Sequence, residues 1–161
     1  MLKPRRKERI EVFEPSRKRL TTTMLLLFFI AGLVISILKG FRAAMAYIVM
    51  WLASYLVIFK GTCTRCAYYG KSCPIPLEGP LVKYFFKKSD KPFGYNALFW
   101  ATVAYLMRIW VPSLVIIRDR RKAAGIIYYG MFKIFWVIHL RIIGCPNCIN
   151  SACPLNPDYK P

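Results

Sequence analysis

The chain has 161 residues, 57% of them hydrophobic and 16% aromatic, and a formal net charge of +18. Ordinary soluble domains run at roughly 45–50% apolar, so this composition excludes the soluble class. A soluble protein this basic would be read as a nucleic-acid binder; here the charge is assigned to topology and to anionic lipid headgroups, with no nucleic-acid partner.

Residues 1–19, "MLKPRRKERIEVFEPSRKR", form a basic tail. The tail is expected to be flexible or to lie on headgroups, where each Lys or Arg contributes about 1 kcal/mol. Four apolar segments follow at 20–38, 43–59, 97–117 and 123–143, to be compared with the ~20 residues a helix needs to cross ~30 Å of hydrocarbon. Burying four such helices in a soluble protein would leave too little polar chain to cover them. The first segment imitates a signal peptide, with Ala44-Met45-Ala46 as its cleavage site, but Lys39 and Arg42 intervene and argue for a retained helix.

Eight Lys/Arg precede the first segment, seven lie between residues 60 and 96, and Arg141 and Lys160 add to the same side, against six in the two hairpin connections. By the positive-inside rule this predicts a multi-pass cell-membrane protein with its N-terminus, central loop and C-terminus in the cytoplasm. The "RDRRK" connection at 118–122 blunts the bias. Within the linker 81–96, "LVKYFFKK" at 81–88 predicts a short interfacial helix, and "SDKPFGYN" at 89–96 carries turn residues with Asn96 placed to cap the third long helix.

All six cysteines fall in two triads, each directly after an apolar segment: Cys63, Cys66 and Cys73 in "CTRCAYYGKSC", and Cys145, Cys148 and Cys153 in "CPNCINSAC". The opening cysteines are 82 residues apart and the closing ones, each followed by Pro, are 80 apart. The fold class expected is therefore all-α: a polytopic membrane protein of four transmembrane helices arranged as two repeated helical hairpins. The first hairpin with its triad is 20–80 and the second is 97–161. An even number of crossings per half gives both halves the same orientation and brings the triads to one cytoplasmic face. Clustered cysteines in a reducing compartment point to metal binding or redox chemistry.

A C-x2-C pair directs two sulfurs at one metal, and a third cysteine completes most of a tetrahedral set. Zinc and an iron–sulfur cluster both suit such donors. Two three-cysteine sites, one four-cysteine site and a shared six-cysteine cluster all remain open. His139, the single histidine, lies six residues before Cys145 and is either a fourth ligand or, the preferred reading, a hydrogen-bonded helix residue. The spacing of Cys63, Cys66 and Cys73 resembles the first half of the binuclear zinc cluster of fungal transcription factors. The second half departs from that pattern, so DNA binding does not carry over, and only the idea of six cysteines sharing two metals does.

All seven carboxylates lie outside the four segments, which disfavours transport of protons or metal ions. No Walker loop, zinc-protease helix or Ser-His-Asp set is present. Arg108 and Lys133 lie near the middles of the third and fourth segments, where a charge costs at least ~2.5–3.5 kcal/mol. Either they meet an anionic or carbonyl-bearing partner (a quinone, a lipid headgroup, an acid on another subunit or second copy), or they snorkel; no carboxylate within the segments is available to pair with them. The expected function is a non-enzymatic structural, accessory or electron-transfer subunit. The alternative is a membrane thiol–disulfide oxidoreductase coupled to quinone, since four helices with C-x2-C motifs are similar in outline to the vitamin K epoxide reductase family. The chain departs from that family in placing its motifs after the second and fourth helices, on the side read as cytoplasmic.

Overall fold

The computed structural model describes residues 5–160; residues 1–4 of the basic tail and residue 161 lie outside the described residues. Five α-helices form: α1 (Pro15–Ile37), α2 (Phe41–Gly61), α3 (Glu78–Phe85), α4 (Tyr95–Arg118) and α5 (Lys122–Val137). A π-helical stretch, Ile138–Ile143, extends α5. Four of the helical stretches are long and apolar enough to cross a membrane: Pro15–Ile37, Phe41–Arg65, Tyr95–Arg118 and Lys122–Asn147. Each contains or largely overlaps one of the expected segments.

The bundle turns large apolar side chains outward. Leu26, Leu52, Trp110, Ile117, Ile126 and Ile127 are all more than half exposed, an arrangement suited to hydrocarbon and costly in water. Inside, aromatic rings fill the space between helices. Phe28 of α1 stacks on Tyr128 of α5 at 4.8 Å and packs against Phe132 at 5.3 Å and Trp51 of α2 at 5.9 Å.

Close helix approach depends on missing side chains. A Cβ at Gly32 would lie 2.4 Å from the Tyr47 hydroxyl, and one at Gly61 would lie 2.4 Å from Cβ of Trp100. Small residues at such crossings let backbones approach where no hydrophobic effect drives association. The tight α1–α2 connection turns on Gly40, whose φ of +129° favours glycine. The tips of the two hairpins meet through an ion pair between Lys39 and Asp119 at 2.7 Å.

Within α4, Pro112 lacks the N–H that would bond the Arg108 carbonyl one turn earlier. The Tyr128 hydroxyl of α5 donates to that carbonyl at 3.3 Å, so a neighbouring helix satisfies the group the proline frees.

The structure differs from the sequence expectations at three places outside the bundle. The described part of the basic tail is docked: Ile10 and Phe13 are buried, the Ile10 amide donates to the Asn147 carbonyl at 3.0 Å, and the Phe13 amide donates to the Ser72 carbonyl at 3.0 Å. These two apolar side chains anchor the charged run, while Val12 between them is exposed. Helix α3 begins at Glu78 rather than 81, because the chain before it dips into the bundle, where the Thr21 hydroxyl donates to the Pro74 carbonyl at 2.7 Å. Asn96 does not cap α4; the cap position is Gly94, and the Asn96 side chain accepts from Arg65 at 3.1 Å.

Candidate metal centre

Each triad opens in the same local structure. Cys63–Arg65 and Cys145–Asn147 are single 3-10 turns at the ends of the second and fourth long helices. The Cys66 amide donates to the Cys63 carbonyl at 3.2 Å, and the Cys148 amide to the Cys145 carbonyl at 3.3 Å. The third cysteines reach the same region by different routes. Cys73 is placed by the backbone of α3, where a Cβ on Gly79 would sit 2.2 Å from the Lys71 carbonyl oxygen and 3.3 Å from the Cys73 sulfur. Cys153 follows a turn in which its amide donates to the Asn150 carbonyl at 3.1 Å.

All six cysteines line one cavity of about 150 Å³, together with Glu78, Tyr105, Trp136, His139 and Asn150. Asn150 spans the two triads: its backbone N–H points at the Cys148 sulfur at 3.4 Å and its side-chain amide at the Cys66 sulfur at 3.7 Å. All six thiols are unlinked. Among the described residues no three His, Cys, Asp or Glu side chains converge closely enough to hold a metal ion as they stand. The sulfurs line the wall of the cavity.

Burial dominates the chemistry of these thiols. It pushes Cys66 and Cys148 above the ordinary range, Cys73 up to about 12 and Cys153 up to about 11. Neighbouring sulfurs add to the effect on Cys66 and Cys153, and Glu78 to that on Cys73. Burial thus favours the protonated thiols, and a nearby cation would favour the thiolates.

Arg108 lies beside this cavity, fully buried. Its Nε donates to the Ser54 hydroxyl at 2.8 Å, and Nη2 meets Glu78 Oε1 at 3.3 Å. Three rings surround the guanidinium: Tyr55 and Tyr105 at 4.7 Å each, and Trp51 at 5.1 Å. The apolar segments hold no carboxylate for Arg108, as the sequence indicates, and its partner comes from outside them. Glu78 is outside the apolar segments in sequence, but the inward dip before α3 carries it to Arg108. Burial pushes the Glu78 carboxyl up, against the pull of Arg108. The Nη1 of Arg108 and the Tyr105 hydroxyl are buried without hydrogen-bond partners among the described residues.

Lys133 faces the other way. It is exposed on the outer side of α5, with no ion pair among the described residues, so the two intramembrane cations do not share a site. His139 lines the cysteine cavity, and its Nδ1 is buried without a hydrogen-bond partner among the described residues, where the sequence led us to expect a hydrogen-bonded helix histidine.

Sequence reasoning missed Glu78 and Asn150. The "CPIPLEGP" run around Glu78 carries the one available signal: three prolines and a glycine, residues that mark a change of chain direction. Asn150 carried no signal beyond its position between two cysteines.

Comparisons with family models, with curated proteins and with solved structures return no match.

Proposed function

We propose that the chain is an integral membrane protein whose two cysteine triads hold a thiolate-ligated metal centre, zinc or iron–sulfur, at the cytoplasmic end of the helices. The centre ties two repeated helical hairpins together, and the protein serves as a structural or accessory subunit, with electron transfer as its role if the metal is iron. One observation carries this reading: six cysteines from segments about eighty residues apart all line one cavity. Chance placement of two unrelated hairpins does not account for a convergence that includes every cysteine of the chain.

Two further observations support it. The matching 3-10 turns favour the repeat, and buried thiols with raised pKa values suit a site completed by a cation. The cytoplasmic orientation rests on the distribution of Lys and Arg. Lys133, exposed at mid-membrane, suits contact with an anionic headgroup by snorkelling or with an acid on another subunit or second copy.

The test is a serine series on the full chain purified without oxygen. Cys63→Ser and Cys145→Ser should each lower metal content, since both halves contribute ligands. Unchanged metal content in both would refute the ligand assignment. A metal-free wild type with a redox-active disulfide would give instead the quinone-coupled thiol–disulfide oxidoreductase.

A further inference from the structure

The single histidine sits where the helical geometry is broken. Ile138–Ile143 is a π-helical stretch, closed by the Gly144 amide donating to the His139 carbonyl five residues back at 2.9 Å. Such stretches are energetically poor in isolation and occur mostly at functional sites, where the wider turn redirects a side chain. Here the wide turn brings the His139 ring against Gly144, directly before Cys145. A Cβ on residue 144 would lie 2.6 Å from the ring's Cε1 and 2.7 Å from its Nδ1, so only glycine leaves room for the imidazole at that position.

The ring is oriented by packing rather than by hydrogen bonds. It stacks on Phe135 at 6.1 Å with an interplanar angle of 15°, and Trp136 meets it edge-on at 6.3 Å. It lines the cavity that holds all six cysteines. Its Nδ1 is buried with no hydrogen-bond partner among the described residues, and a buried polar atom left unpaired is destabilising. A histidine retained in that state, at a π-turn beside a cysteine triad, has a ready use: neutral imidazole is a common metal ligand through either nitrogen.

We propose that His139 is a nitrogen ligand of the metal centre, an imidazole donor that enters from the Cys145 side of the cavity beside the cysteine donors of the two triads. Imidazole beside thiolates is an ordinary donor combination for zinc. The π-stretch and Gly144 serve to place the ring. This inference rests on the metal-centre reading above and assigns a donor outside the triads.

The experiment uses the full chain in detergent, reduced and loaded with Zn²⁺, with X-ray absorption at the zinc edge and Co²⁺ titration as a second readout. The wild type should give a nitrogen shell at about 2.0–2.1 Å beside sulfur at about 2.3 Å. His139→Ala should lose the nitrogen shell and bind Co²⁺ at least tenfold more weakly. His139→Cys should bind again, with sulfur alone, which separates a ligand's loss from a folding defect. A wild type with only sulfur neighbours and a His139→Ala variant with unchanged affinity would overturn the proposal and leave the cysteine centre standing. A wild type that takes up neither ion would overturn both.

Discussion

Arg108 keeps its charge inside the bundle through a set of partners that only the folded chain assembles: the Glu78 carboxylate, the Ser54 hydroxyl and three aromatic faces. Pairing a buried charge offsets desolvation, and removing one partner leaves the other uncompensated, at a cost of about 3–5 kcal/mol. Glu78→Gln and Arg108→Met should therefore each lower thermal stability in detergent strongly. The double variant Glu78→Leu with Arg108→Met should recover much of the loss, and simple addition of the two effects would show that the pair is not coupled. A second residue-scale test concerns packing. Gly61→Val places side-chain atoms on Trp100 and should cost about 1–3 kcal/mol through overpacking, read from the same melting curves. The anomaly of a cation in an apolar segment was legible in the sequence. Its partner was not, because Glu78 is thirty residues away and reaches Arg108 only through an irregular, proline-rich dip that no periodicity encodes.

Among the elements, the N-terminal tail departs most from expectation. Its charge pattern suggested a free or lipid-bound arm, yet Ile10 and Phe13 anchor it on both cysteine segments. Arg6 donates to the Cys148 carbonyl and the Asn156 side chain, both at 2.8 Å, and pairs with Asp158. The hydrogen bond from Arg6, with Arg9 beside it, holds the Asp158 carboxyl below the usual range. A carboxylate with a depressed folded pKa contributes its full stabilisation above its unfolded value of about 3.9, and loses it as pH falls through the depressed value. Hydrogen exchange at the Ile10 and Phe13 amides should therefore be slow and flat from neutral pH to about pH 4, once corrected for intrinsic rates, and accelerate below it. Asp158→Asn should release the tail at neutral pH, and unchanged protection there would assign the docking to the apolar anchors alone. The long helices were legible because four runs of apolar residues at membrane-spanning length have few other uses. Their boundaries shifted where sequence rules compete: Asn96 is a good capping residue, but Arg65 takes its side chain. The proline in α4 is tolerated because Tyr128 reaches the freed carbonyl. Tyr128→Phe should cost about 1 kcal/mol, the usual worth of one hydrogen bond.

On the scale of the whole molecule, the two ends of the helices have different roles. One end carries the hairpin tips joined by Lys39 and Asp119; the other gathers the tail, α3 and both triads around one cavity. The pairing of the triads was legible in their spacing, since an even number of crossings between them returns the chain to the same side. His139 was legible as a candidate from its distance to Cys145, but the π-stretch that sets its ring against Gly144 cannot be foreseen from an apolar run. The central claim is that this cavity is built to hold a metal. Elemental analysis of the anaerobically purified chain, together with its absorption spectrum, tests it most directly. The account requires a stoichiometric metal, either zinc without visible absorption or iron with sulfide and charge-transfer bands. A chain free of metal, with all six thiols open to alkylation in the folded state, would contradict it.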